Sequence, residues 1–168
     1  CNMIKHRNLT ELDLSNHPDI GAYCGESIIA LIDRSENLLS LNLSETGVQD
    51  STIVEIANLL KKKATVENII LNPCYKLRDT GGIAIHDAVR DKRNLRKLDI
   101  DWRSLSADVI CNFISLNSPA ISSKLEFYNI DPAGALKIGS ALTKNNYAKS
   151  IFVNGNNYEI CPDILRNL

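Results

Sequence analysis

Leu38-Leu39-Ser40-Leu41-Asn42-Leu43 reads as L-x-x-L-x-L, and the chain writes this pattern again and again. It stands earlier as Leu9, Leu12 and Leu14, and later as Val66, Ile69 and Leu71, then Leu95, Leu98 and Ile100. Two looser copies follow, Ser122, Leu125 and Phe127, then Ala148, Ile151 and Val153. The last apolar positions are 14, 43, 71, 100, 127 and 153, so the period is 29, 28, 29, 27 and 26 residues. A steady period of this size is the mark of a repeat architecture. Within each copy, apolar and polar residues alternate as they do along a short half-buried strand.

Between copies the pattern turns helical. Ile53, Ile56, Ala57 and Leu60 fall at i, i+3, i+4 and i+7, one face of a helix. Counting back ten residues from each following copy gives Ile28, Ile56, Ile85, Asn112 and Ile138. Counting back six gives Ile32, Leu60, Val89, Leu116 and Leu142. Helix after helix thus offers the same apolar columns to its neighbours. Asp131-Pro132 places an acceptor before a proline at the first helical position, and Asp50-Ser51 and Asp79-Thr80 offer caps at equivalent places. Strand, turn and helix at about 28 residues predict an α/β solenoid, a horseshoe segment with parallel strands on its concave face and helices on its convex face. Six strands are expected, centred near residues 12, 41, 69, 98, 125 and 151.

On these motifs residues 8 to 158 resemble leucine-rich repeats of the ribonuclease-inhibitor subclass, whose convex side is α-helical. Tropomodulin, the Ran GTPase-activating protein and several bacterial effectors carry repeats of this kind. The resemblance implies Asn or Cys three residues after the last core position, bonding the turn backbone between repeats. Here that position reads His17, Thr46, Cys74, Arg103, Ile130 and Asn156, so only Cys74 and Asn156 match and the turns should be irregular. We read residues 1–168 as one leucine-rich-repeat domain of about six repeats. Neither end shows a polar capping unit, Cys1 stands without a start methionine, and Cys161 to Arg166 reads as the beginning of another helix. The chain is therefore expected to be part of a longer protein.

Composition narrows the partner. Hydrophobic residues make up 44% and charged residues 23%, the mix of a folded soluble chain. With a net charge of -1 there is no bulk electrostatic reason to expect nucleic acid or a membrane as partner. No stretch is long and apolar enough for a membrane span, and no signal-peptide pattern is present. Five widely spaced cysteines (Cys1, Cys24, Cys74, Cys111, Cys161) form no C-x-x-C and favour reduced thiols in the cytoplasm. Sequons at Asn8 and Asn42 weigh less than that.

Chemistry is not legible in the chain. His6, His17 and His86 have no metal-ligand spacing. His86 shares a helix column with Ile29, Ala57, Phe113 and Gly139 and reads as a partly buried structural residue. Cys74 is a conceivable nucleophile, but its turn position already accounts for it. Thr80-Gly81-Gly82 lacks the rest of any phosphate-binding motif and reads as helix packing. Lys61-Lys62-Lys63 complements a helix C-terminus. No cofactor, metal or small-molecule substrate is expected, and no enzymatic activity.

What remains is the open strand face. Its middle column is Asp13, Asn42, Ile70, Asp99, Glu126 and Phe152, flanked among others by Leu39, Asp101 and Tyr128, with Trp102 at the rim. Apolar and aromatic side chains set among acids are what interface anchors look like. Trp102 and Tyr128 could instead fold back over the turns. The expected function is a protein-protein interaction scaffold binding a partner on the concave face, in the setting of a tropomodulin-type actin-filament regulator or a bacterial effector. A structural segment of a longer array is the competing reading. A GTPase-activating regulator is another, for which Arg96 and Arg103 are the only arginines on the face or rim.

Overall fold

A computed structural model describes residues 9–121 and 124–154. The expected strands of the first four copies are β1 (Glu11–Asp13), β2 (Ser40–Asn42), β3 (Asn68–Leu71) and β4 (Lys97–Ile100), joined in that order in one sheet. Those of the last two copies are β5 (Lys124–Tyr128) and β6 (Ser150–Asn154), which form a separate pair. All pairings are parallel, and the fourth residue of the pattern sets the register: Leu12 lies beside Leu41, Leu41 beside Ile69, Ile69 beside Leu98, and Leu125 beside Ile151. Helices separate the strands: α1 (Ile20–Tyr23), α2 (Gly25–Arg34), α3 (Asp50–Lys62), α4 (Asp79–Val89), α5 (Ala107–Ser115) and α6 (Pro132–Leu142).

One apolar core runs through these elements. Leu12, Leu41, Ile69 and Leu98 of the strands meet Ile32, Ile56, Leu60, Ile85 and Ile138 of the helices, all buried. Removing each such side chain from water stabilises the fold by about 1.5–3 kcal/mol. The alternating positions of the same strands face away from the helices, so the sheet keeps one open face.

The helix column breaks once. Counting predicted Asn112 and Leu116 inside, but Asn112 is exposed and Leu116 half-buried, while Ile110 and Ile114 of α5 occupy the core. The count assumes a constant helix-to-strand connection, and the one between α5 and β5 spans eight residues where the others span five to seven. Within it Leu98 bridges Ile121, not Leu125, and among the described residues that bridge is the pairing seen between β4 and the segment leading into β5.

Two capping expectations also change. Asp131 is the N-cap of α6 and accepts from Gly134 N–H at 2.7 Å. Asp50 and Asp79 instead occupy the first helical position, and each carboxylate serves the next repeat. Asp50 Oδ1 accepts from Arg78 N–H at 2.7 Å and Gly81 N–H at 3.1 Å, and Asp79 Oδ1 from Ser106 N–H at 2.7 Å. Gly81 and Gly82 make the close approach possible: a Cβ on Gly81 would run into the Asp50 carboxylate, and one on Gly82 would lie 2.9 Å from Leu105 Cδ2. The turns after β1, β2 and β5 each place a residue in left-handed backbone, Asn16, Glu45 and Asn129, four positions after the central leucine. Asparagine, which adopts that region readily, fills two of the three.

Candidate interaction face

The open face is polar and largely satisfied by itself. Asn42 donates from Nδ2 to Asp13 Oδ2 at 3.1 Å, and its Oδ1 accepts from Ser44 N–H and the Ser44 hydroxyl. Asn72 donates to Asp99 Oδ1 at 3.0 Å, and the Tyr128 hydroxyl donates to Glu126 Oε1 at 2.7 Å. Hydrogen bonds from Ser15 hold the Asp13 carboxyl below its ordinary value of 3.8. Polar groups already paired across strands need less from a partner when they are covered. Between them lie Ile70, half-buried, and the exposed Leu39 and Phe152, the last at 47% of its full exposure.

Two residues expected at this surface are elsewhere. Trp102 is buried, 5% exposed, with its ring edge-on to Phe113 at 5.5 Å and to Phe127 at 6.4 Å. It packs beside the join between β4 and β5, with one ring contact on each side of it. It therefore cannot serve as an anchor. Asp101 is buried as well. Its carboxylate takes a forked pair of hydrogen bonds from Arg103 and one from Cys74 N–H at 2.9 Å. Asp101 is thus a turn-bonding group, and its charge is already matched by Arg103.

The rim carries an aromatic that reading the strands alone missed. Tyr75 is 57% exposed, and the Arg103 guanidinium lies over its ring at 4.6 Å. Tyr75 follows the Cys74 turn position, four residues past Leu71, the last core position of the strand pattern from which surface positions were read. The signal was present only in the turn. Cys74 itself is buried, and burial, reinforced by Asp101, pushes its thiol up to about 11, which leaves it protonated and unreactive. His86 packs edge-on against Phe113 at 5.5 Å. Arg96 pairs with Glu67 at 3.1 Å. Among the described residues no group of His, Cys, Asp and Glu has the arrangement of a metal site, and Cys24, Cys74 and Cys111 are free thiols. Cys1, Cys161 and Asn156 lie outside the described residues.

Neither a family model nor a curated protein sequence matches this one. Among solved structures the chain is similar to Leiomodin-1 Actin-Binding Site 2, at 11% identity with a TM-score of 0.63, over 86% of this chain and 84% of that one. It is also similar to the tropomodulin C-terminal domain of Caenorhabditis elegans, at 13% identity with a TM-score of 0.54, over 86% and 88% of the two chains. These likenesses show a shared fold of parallel strands and helices of leucine-rich-repeat type. No helix among the described residues is long and apolar enough to cross a membrane.

Proposed function

We propose that this chain is a leucine-rich-repeat module of the ribonuclease-inhibitor subclass, a horseshoe segment that binds a protein on its concave strand face without catalysing a reaction. The observation that carries the reading is the open face itself: a self-bonded polar lattice in which Leu39, Ile70 and Phe152 expose apolar area. Apolar area desolvates without penalty, whereas a carboxylate needs a partner before its burial is favourable. The anchors should therefore supply most of the affinity, and Asp13, Asp99 and Glu126 should tune approach and salt dependence. Non-catalytic action fits a protonated Cys74 and arginines committed to Glu67 and Asp101. Actin is the partner we propose, since two of the solved structures that share the fold are a leiomodin domain that is an actin-binding site by name and a tropomodulin C-terminal domain.

Binding of the chain to fluorescently labelled monomeric actin tests this. Phe152→Ala should weaken it by about 2 kcal/mol, roughly thirtyfold, with the denaturation midpoint unchanged. Glu55→Ala, on the exposed side of α3, should change neither. Absence of binding by the unaltered chain would rule out actin. Binding that survives Phe152→Ala but is lost with changes on the helices would move the site to the other face.

A further inference from the structure

A net charge of -1 conceals a strong segregation that the fold creates. The segment between α3 and β3 and the one between α4 and β4 run side by side where helices end and strands begin. Lys92 donates from Nζ to Lys63 O at 2.6 Å, Asn94 from Nδ2 to Ala64 O at 2.7 Å, and Arg96 N–H to Glu67 O at 2.8 Å. Residues 61–67 and 90–97 together hold eight cations against two carboxylates, a surplus of six. Both carboxylates are already matched, Glu67 by Arg96 at 3.1 Å and Asp91 by Arg90 at 3.4 Å. Lys61, Lys62, Arg93 and Lys97 are exposed, with no carboxylate partner among the described residues. Lys144 and Lys149 continue the same edge before β6, and toward β1 it is closed by Asp33 and Glu36.

We infer that this basic edge docks on an anionic lipid surface. The strands begin level with one another, Ser40 beside Asn68 and Asn68 beside Lys97, so the connections present their charges in a row suited to a flat bilayer. A protein partner would need apolar anchors to turn attraction into affinity, because exposed charges mainly set association rate. None of the exposed large apolar residues lies in 61–67 or 90–97, and the extension toward β6 holds a single one, Tyr147, between Lys144 and Lys149. A nucleic acid strand is tracked by a charged channel with aromatic platforms for its bases, which a level row of mostly lysines does not provide. An anionic membrane asks only for charge, at about 1 kcal/mol for each basic residue near its surface. Most of these cations lie where helices end and strands begin, and Lys97, the first residue of β4, also borders the open strand face, so the vesicle and actin measurements are read separately.

Sedimentation of the full chain with vesicles tests it, using phosphatidylcholine alone and phosphatidylcholine with about one-third phosphatidylserine. The chain should sediment only with the anionic vesicles, and added salt should release it as the screening length shortens. The pairs Lys61→Ala with Lys62→Ala, and Arg93→Ala with Lys97→Ala, should each weaken binding about thirtyfold. Lys76→Ala, in the turn after β3 at the opposite edge, should not. All these side chains are exposed, and unchanged thermal melting will show that the variants fold. Failure to bind anionic vesicles at low salt overturns the inference, as does binding that both pairs leave intact. Binding to a short DNA duplex but not to vesicles assigns the edge to nucleic acid. Loss of actin binding in the pairs, with no vesicle binding by the unaltered chain, assigns it to protein and leaves the strand-face proposal to the Phe152 experiment.

Discussion

Burial pushes the Asp101 carboxyl up, but hydrogen bonds from the Arg103 side chain and from the Cys74 and Arg103 amides outweigh it and leave it below 3.8. A carboxyl whose folded value is depressed stabilises the fold above its unfolded value, and that contribution is lost as pH falls through the folded value. Asp101→Asn should therefore lower the urea midpoint at pH 7, at a cost of about 1–3 kcal/mol. The gap from the unaltered chain should close only below pH 3.8. A gap that is constant with pH would mean that the charge is immaterial. The thiols are ordered by the same logic of burial. Iodoacetamide should modify the exposed Cys24 quickly in the folded protein and the buried Cys74 slowly. On the unfolded chain, without reductant, all five should react by mass; fewer would point to a disulfide or a blocked thiol.

The starts of α4 and α5 are each tied to the repeat before them, and this is where local reading of the sequence fell short. Asp131 caps its own helix, as the Asp-Pro signal says, because the acceptor and its amide lie three residues apart. Asp50 bonds amides 28 and 31 residues away, a relation that exists only once α3 and α4 are packed. At the other end Lys63 does the same, donating from Nζ to the carbonyls of Asp33 and Ser35 at 3.0 Å each. The lysine run thus complements the C-terminus of the preceding helix as well as its own. Asp131→Ala should cost about 1 kcal/mol, the loss of a helix cap. Asp50→Ala strands two amides of α4 and should cost at least as much, about 1–3 kcal/mol. Equilibrium urea unfolding compares them; an Asp50 variant as stable as the parent would show that water satisfies those amides equally well.

At the scale of the molecule the join between β4 and β5 differs from every other. Elsewhere adjacent strands share a run of paired residues; here the described residues show one bridge, with Trp102, Phe113 and Phe127 packed beside it. Aromatic packing therefore contributes to the cohesion between the two sheets beside the backbone bond from Leu98 N–H to Ala120 O. Trp102→Ala should cost about 3–5 kcal/mol, as other large core truncations do. It should also release the amides of β5 and β6 to hydrogen exchange ahead of those of β2 and β3. Uniform acceleration across both sheets would contradict a weak seam.

The sequence by itself determined the six strands, their register within each of the two sheets and most of the helix faces. These depend on short-range periodicity, and L-x-x-L-x-L copies at a constant spacing leave few ways to bury the same residues in each repeat. It also marked Phe152 and Ile70 as open-face positions, because alternation along a strand assigns sides without knowledge of neighbours. Tertiary structure alone decided what Trp102, Asp101 and Lys63 do, where helix α5 turns its apolar face, and that lysines from two connections share an edge. Each of these depends on groups roughly one repeat apart meeting in space. A single repeat carries no record of the length of the next connection or of the side chain that will fill its seam.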